Sequence, residues 1–259
     1  MSMITSHTAF QFAAVLYALA LAAALAPGKR SLPVNLPLAA AIGCNLLAVG
    51  LRCHQAWPML PMHLGPVALP LCLGLFYPLA ARNCEPSLRR PTQRILLAVV
   101  VLLTALALCF PKDFYLPFLK SKTLLAHGFL WFGVVGKACF ILSAAWAANA
   151  LLPRQSSHAI SAMGRSHRWA ALGFSLWTAS MFSGELWSYL GWGTPVVWED
   201  PALTLTMAAW FFYGCLLHLH LTRSWSQTHR ALYASLGGLV MLTLTCLPDL
   251  GPFRIPFGL

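Results

Sequence analysis

The sequence predicts an all-α fold, a polytopic integral membrane bundle of about eight transmembrane helices. Hydrophobic residues make up 59% of the 259 residues and charged residues only 9%, whereas a soluble domain carries about 25% charged residues. Mean hydropathy is +0.70. Because about 20 apolar residues cross a bilayer, the chain has room for many spans. We therefore expect a single transmembrane domain over residues 1–259.

Proline and charged residues bound each predicted span. The first four spans, 9–26, 34–51, 63–81 and 95–110, end before Pro27, Arg52, Arg82 and Pro111. The last four, 123–151, 168–186, 203–222 and 231–247, start close to Lys122, Arg168, Pro201 and Arg230. The third contains Pro66, Pro70 and Pro78, which membrane helices tolerate when neighbouring groups satisfy the freed backbone atoms.

Lysine and arginine are unevenly divided between the two sides of this arrangement. One side holds eleven, Lys29, Arg30, Arg82, Arg89, Arg90, Arg94, Arg154, Arg165, Arg168, Arg223 and Arg230, and the other five, Arg52, Lys112, Lys120, Lys122 and Arg254. The positive-inside rule then places both termini and residues 187–202 outside the cytoplasm. The net charge of +11 thus reflects topology. We expect a multi-pass protein of the plasma (inner) membrane that contacts lipid and no nucleic acid.

A tryptophan-rich segment lies between the sixth and seventh spans and reads GELWSYLGWGTPVVWEDPALT over residues 184–204. It contains Trp187, Trp192 and Trp198, the glycines Gly184, Gly191 and Gly193, and the acids Glu199 and Asp200. Isolated tryptophans at a span end are typical of an interfacial aromatic belt. Three of them interleaved with glycine suit a more specific role, because aromatic faces packed offset or edge-on hold a large planar ring.

This segment resembles the tryptophan-rich WWD signature of the cytochrome c assembly family. The matching residues are Gly184, Trp187, Trp192, Gly193, Thr194, Trp198, Asp200, Pro201 and Thr204. Val196 stands where the family has a further tryptophan, and Glu199 is an added residue before Asp-Pro. The likeness covers about residues 117–223. Upstream, residues 119–127 resemble the loop before the family's external histidine; downstream, Trp210, Tyr213 and His218 are spaced as in the haem-handling subunit of the system II synthase.

The resemblance implies a haem-binding and haem-delivery protein of cytochrome c maturation. It would present haem b, bound transiently or as a substrate, on the non-cytoplasmic face to apocytochrome c. The eight cysteines of this chain form no CxxC, CxxCH or zinc-type cluster, so the acceptor cysteines must lie in the apocytochrome. The protein is then a carrier or a subunit of a cytochrome c synthase (haem lyase), not catalytic alone, and needs a companion membrane subunit.

Two histidines are the implied axial ligands of haem iron, for which imidazole is a common ligand. His127 lies near the outer end of the fifth span, on the same side as the tryptophan segment. His218 follows Asp200 by eighteen residues, about 27 Å along a continuous helix. The two therefore serve separate positions, an outer one and an inner one. The resemblance adds Trp187, Trp192, Trp198, Gly193 and Asp200 as haem-contacting residues.

The family pattern has four histidines, and two have no counterpart here. A membrane-embedded one falls near Met59, which His54 and His63 flank; a second external one falls in residues 247–259, which contain no histidine. We rank the substitutes as His54 or His63 first, a Met59 thioether second and a partner subunit third. Lys137, within the fifth span, is costly at membrane depth, and a haem propionate or Glu185 is its expected partner.

Two other functions fit the same architecture. A haem-b anchor that oxidises quinol needs paired histidines at matched depth, which His127 and His218 do not offer. A transporter or accessory membrane protein that no longer binds haem fits the two missing histidines. Haem content separates the accessory protein from the others, and redox turnover with quinol identifies the anchor.

Overall fold

A computed structural model of the protein describes residues 5–26, 34–57, 64–80, 82, 84–111, 123–152, 156–196, 201–222, 224–247 and 250–256. These residues are helical over most of their length, and the ranges just given contain no strand. The predicted all-α membrane bundle is confirmed.

Eight α-helices form the described part of the chain. They are α1 (Ser6–Leu25), α2 (Asn35–Ala56), α3 (Gly65–Ala80), α4 (Pro86–Cys109), α5 (Leu124–Ala150), α6 (Ser156–Trp192), α7 (Pro201–His218) and α8 (Gln227–Cys246), with a 3-10 turn at Leu219–Leu221. Among the residues described, α1, α2, α4 and α5 are long and apolar enough to cross a membrane, while Gly65–Ala80 and Leu203–His218 are shorter apolar helices.

The largest difference from the predicted spans is in α6. This helix begins at residue 156 instead of 168 and ends at residue 192 instead of 186. Its 37 residues extend over about 56 Å, well beyond the roughly 30 Å of a hydrocarbon core. Hydropathy detects only the membrane-embedded part of such a helix, so it does not reveal the polar first turns.

The chain divides into two compact units, and α4 contributes to both. Unit 1 consists of Met1–Asn83, Gln93–Pro117 and Asp249–Leu259, and unit 2 of Cys84–Thr92 and Phe118–Pro248. Each unit is described by itself, and the single-domain organisation stays a prediction.

In unit 1, a buried asparagine of α2 hydrogen-bonds to the backbone of the proline-containing helix α3. The side chain of Asn45 is fully buried. Its amide nitrogen donates to the carbonyl of Val67 at 3.0 Å, and its oxygen accepts from the N–H of Leu71 at 3.1 Å. These two backbone groups flank Pro70, which lies inside α3. A neighbouring helix thus supplies hydrogen bonds where a proline disturbs the ladder.

Replacing Asn45 with leucine is expected to lower the free energy of unfolding by about 2–3 kcal/mol, because two buried backbone groups lose a partner. Asn35→Leu, at an exposed position of the same helix, is the matched control. Thermal unfolding of the detergent-solubilised variants measures the difference. Equal midpoints for both variants would show that the Asn45 bonds contribute nothing.

The C-terminal segment of unit 1, residues 250–256, caps the C-terminal end of α4. The N–H groups of Gly251 and Arg254 donate to the carbonyls of Phe110 and Cys109 at 3.0 and 2.7 Å, which satisfies acceptors at the end of a helix. The side chain of Gln11 in α1 donates to the carbonyl of Pro256 at 2.6 Å. The N-terminal turns of α1, the end of α4 and residues 250–256 therefore lie together, and their side of the membrane stays a prediction.

Unit 2 is built on a close antiparallel pair, α5 and α6. Along α5, Gly128, Gly133 and Gly136 face Ser183, Ser180 and the backbone of Trp177 in turn. At each glycine a Cβ atom would come within 3.0–3.2 Å of the facing α6 atom. The hydroxyl of Ser180 also donates to the carbonyl of Phe129 at 2.6 Å. Small residues thus allow the two backbones to approach closely, as is usual between membrane helices.

Candidate functional site

His127 and Trp187 lie at the same end of the α5–α6 pair, which we call the tryptophan end. Phe129, two residues after His127, packs on Gly184, where a Cβ atom would come 2.8 Å from the phenyl ring. The ring centroids of Phe129 and Trp187 are 6.2 Å apart. These contacts bring the start of α5 against the last turns of α6. The structure therefore places His127 and the tryptophan segment at the same end of the α5–α6 pair, while His127 itself lies about 160° around α5 from Phe129.

The imidazole of His127 is held by the first turn of α5. The hydroxyl of Thr123 caps this helix by accepting from the N–H of Ala126 at 3.3 Å. His127 Nδ1 lies 2.9 Å from the carbonyl oxygen of Thr123. A carbonyl only accepts hydrogen bonds, so in the neutral imidazole Nδ1 carries the proton and Nε2 keeps its lone pair. Metal-binding histidines commonly have this arrangement, in which the other ring nitrogen donates to a backbone carbonyl.

The two described tryptophans of the segment differ in exposure. Trp187 is 7% exposed, whereas Trp192 is 55% exposed, and their ring centroids are 5.8 Å apart with an edge-on geometry. Trp187 thus supports Trp192, which presents an open aromatic face. Trp198 and Asp200 lie outside the described residues, so their predicted contacts with haem stay predictions.

Gly193 ends α6 and turns the chain after Trp192. Its φ is +74°, a conformation that glycine adopts without a steric penalty, and its N–H donates to the carbonyl of Tyr189 at 2.9 Å. The hydroxyl of Ser188 donates to the carbonyl of Thr194 at 2.8 Å. The tryptophan segment is therefore helical as far as Trp192. These bonds hold the backbone on either side of Trp192.

Two further tryptophans join α6 to α7 by their indole N–H groups. Trp177 donates to the carbonyl of Thr206 at 3.1 Å, and Trp210 donates to the hydroxyl of Thr178 at 3.0 Å. Trp177 is not among the residues predicted from the sequence. The sequence gives only a general indication of this contact, which is that a buried indole N–H needs an acceptor.

His218, the last residue of α7, repeats the geometry of His127. Its Nδ1 lies 2.7 Å from the carbonyl oxygen of Gly214, so in the neutral imidazole Nε2 again keeps its lone pair. Gly214 faces Phe174 of α6, ten residues before Gly184, where Phe129 packs. Counting along the helices, His127 and His218 differ in depth by about 24 Å. The structure does not bring these two histidines together.

Lys137 lies over an aromatic ring inside unit 2. Its Nζ is 5.8 Å from the centroid of the Trp177 ring, a cation–π contact. Both residues line a cavity of about 20 Å³, together with Phe140, Ile141, Ala209, Tyr213, Gly238 and Leu242. This volume suits a water molecule and is far too small for haem. Glu185 lies eight residues beyond Trp177, about 12 Å along α6. Trp177 is a partner of Lys137 that the sequence did not indicate.

His54 occupies the last turn of α2 in unit 1 and is exposed. Its carbonyl accepts from the N–H of Trp57 at 3.4 Å. Met59 and His63 lie outside the described residues, so the ranking of these substitutes for the missing ligands stays a prediction. Within the described ranges, no group of three or more His, Cys, Asp or Glu side chains could hold a metal ion.

Comparison with known proteins identifies a family. Residues 60–247 match the family described as Cytochrome C assembly protein. The cytochrome c biogenesis protein CcsA of Prochlorococcus marinus (strain AS9601) is 36% identical over 104 residues, which are 40% of this chain and 33% of the relative. CcsA of Thermosynechococcus vestitus is 38% identical over 72 residues, 28% of this chain and 22% of the relative.

A solved structure titled Cytochrome c Heme Lyase CcmF has the same fold. Its TM-score is 0.65 at 18% sequence identity, and the match covers 95% of this chain and 48% of that chain. At this identity the likeness concerns the fold alone. The chain matches about a third of the length of its first curated relatives and about half of the lyase chain.

Proposed function

This chain belongs to the cytochrome c assembly protein family, and we propose that it is a haem-binding membrane protein acting in cytochrome c maturation. The observation that carries the proposal is the arrangement at the tryptophan end. There the Nδ1–H of His127 is held by the Thr123 carbonyl, and the exposed indole of Trp192 lies beside the buried Trp187. One side chain offers an imidazole lone pair, and the other offers a flat apolar surface.

In this proposal His127 is an axial ligand of haem b, and Trp192 packs against the porphyrin ring. Imidazole binds haem iron readily, and the Thr123 carbonyl keeps the ring oriented and raises its basicity. Haem supplies the vinyl groups to which an apocytochrome thiol adds. The role of this chain is to hold and orient the haem, while the cysteines belong to the apocytochrome.

We further propose that the protein resides in the plasma (inner) membrane with both termini and the tryptophan end outside the cytoplasm. The excess of Lys and Arg on the opposite side supports this orientation. His218 then lies toward the cytoplasmic face and serves an inner haem position. A companion membrane subunit and apocytochrome c are the proposed partners, which makes this chain a carrier or a subunit of a synthase.

His127 and His218 do not form the histidine pair that a quinol-oxidising anchor needs. Such an anchor holds each haem between two histidines at one depth, whereas His127 and His218 are separated by about 24 Å along the helices. If the chain is instead an accessory membrane protein that no longer binds haem, the purified protein will contain no haem.

Maturation is tested in cells that lack this protein. Restoring the wild-type chain is expected to restore covalently bound haem in the cytochromes c, detected by peroxidase staining of denaturing gels. His127→Ala is expected to restore little or none. His7→Ala, which changes an exposed histidine in the first turn of α1, should restore as much as the wild type. Full restoration by His127→Ala at equal protein level would contradict the role of this residue.

A further inference from the structure

Four helices of unit 2 line a small cavity that the proposed function does not use. Its volume is about 20 Å³, which is more than the roughly 10–15 Å³ that one water molecule needs. The lining comes from α5, α6, α7 and α8 and consists of Lys137, Phe140, Ile141, Trp177, Ala209, Tyr213, Gly238 and Leu242. Lys137 carries the one formal charge of this lining. The cavity therefore combines a cation with mostly apolar walls.

Lys137 lies at the middle of the membrane-spanning helix α5. It is the fourteenth of the 27 residues of this helix, so each end of the helix is about 20 Å away along the axis. This distance is greater than a lysine side chain can extend, so the ammonium does not reach the headgroups of either leaflet. A charge at membrane depth is costly and marks a functional site by default. The protein must therefore compensate this charge from within.

Trp177 orients the ammonium of Lys137 but does not neutralise it. The Nζ atom lies 5.8 Å from the centroid of the Trp177 ring. The indole N–H of Trp177 points to another partner, because it donates to the carbonyl of Thr206. A cation–π contact is an attraction to the quadrupole of the ring, and it supplies no negative charge. The contact thus holds the cation at the wall of the cavity.

The sequence places no carboxylate at the depth of Lys137. Glu185 of α6 lies eight residues beyond Trp177, about 12 Å along the helix. None of the acidic residues of the chain falls in the central half of a predicted span, and they are Glu85, Asp113, Glu185, Glu199, Asp200 and Asp249. A counter-charge for Lys137 is therefore expected from a bound ion.

Tyr213 brings a hydrogen-bond donor to the α7 side of the cavity. Its ring stacks on Phe140 with centroids 3.4 Å apart, and the residue is only 1% exposed, so the ring has a fixed position. Its hydroxyl lies beside Gly238, where a Cβ atom would be 3.6 Å from the oxygen. Gly238 also lines the cavity and adds no side chain next to the hydroxyl. A phenolic O–H is a donor that an anion can accept.

We propose that this cavity is a binding site for one small monovalent anion, such as chloride. The ammonium of Lys137 supplies the charge, the hydroxyl of Tyr213 supplies a hydrogen bond, and the apolar side chains complete the wall. One positive charge matches one negative charge. The volume suits a one-atom ion little larger than water, whereas phosphate, sulfate and gluconate are too large. This inference goes beyond the proposed function and does not depend on haem binding.

The test measures the thermal unfolding of the full-length protein in detergent while sodium chloride replaces sodium gluconate at constant ionic strength. An ion that binds only the folded protein stabilises it by mass action. The midpoint is therefore expected to rise with chloride and to saturate after roughly 2–4 °C. The chlorine nuclear magnetic resonance line should broaden in the presence of the wild-type protein, and this second measurement reports binding without any variant.

Lys137→Met should lose both the chloride-dependent rise and the line broadening. Methionine keeps the length of the side chain and removes a charge from apolar surroundings, so the fold is expected to survive. Tyr213→Phe should require a higher chloride concentration for the same rise. Arg165→Met is the matched control, because Arg165 is another cation of unit 2 over a tryptophan ring, 5.3 Å from the centroid of Trp146. This control should keep the chloride dependence of the wild type.

Two outcomes would overturn the proposal. If the wild-type protein has the same midpoint in chloride and in gluconate and does not broaden the chlorine line, the cavity holds water and no anion. If Lys137→Met responds to chloride as the wild type does, the anion binds elsewhere on the protein. Loss of the response in Lys137→Met together with its retention in Arg165→Met would support the assignment.

Discussion

His127→Ala is expected to lose the haem signal of the tryptophan end when the protein is purified from cells with ample haem. The reason is local, because His127 Nε2 is the imidazole lone pair that the first turn of α5 presents at that end. The fold should survive, since Thr123 still caps α5 through the N–H of Ala126. Haem loss should therefore occur without a change in the thermal unfolding midpoint.

Free imidazole provides a second readout for this variant. The space left by the His127 side chain is expected to admit imidazole, which should restore the optical spectrum of the bound haem. Trp192→Ala should weaken haem binding without changing the axial ligand, because it removes only the aromatic face. If His127→Ala keeps the wild-type spectrum, another residue is the outer ligand.

Gly173→Leu is expected to lower the stability of the protein strongly. A Cβ atom at Gly173 would lie 2.7 Å from the ring of Phe140 and 3.0 Å from the Cβ of Cys139. Phe140 cannot move away easily, because its ring is stacked on Tyr213 and packs in the core of unit 2. Overpacking of this kind costs about 3 kcal/mol or more. We therefore expect a large drop in the thermal midpoint or a loss of folded protein.

The control for this prediction lies in the same helix. A Cβ atom at Gly164 of α6 would have no other atom within 4 Å, so Gly164→Leu should be neutral or stabilise the helix by up to about 1 kcal/mol. Fluorescence-detected size exclusion and thermal unfolding of both variants measure the contrast. Equal stability of the two variants would mean that the α5–α6 pair is packed less closely than the structure indicates.

The sequence predicted the helical membrane fold, because hydropathy accumulates along the chain. The hydropathy of each span gave the number of helices. The positions of the spans also predicted that His127 and Trp187 lie at the same end of the fifth and sixth helices, where Phe129 packs on Gly184. The haem-contacting roles of these residues stay predictions.

Side-chain contacts across helices were not accessible in the same way. The contact of Lys137 with Trp177 depends on the register of α5 against α6, which glycines such as Gly136 set by close approach. The contact depends on helix–helix register, which a single sequence does not encode in any simple pattern. The full length of α6 was not accessible either, because this helix continues beyond the apolar stretch that hydropathy detects.

The most direct test of the central claim is the haem content of the wild-type protein, purified in detergent from haem-replete cells and measured as the pyridine haemochrome. We expect a b-type spectrum, with haem that remains with the protein through purification. A wild-type protein that contains no haem, and binds none when ferric haem is added, would contradict the account and favour an accessory membrane protein.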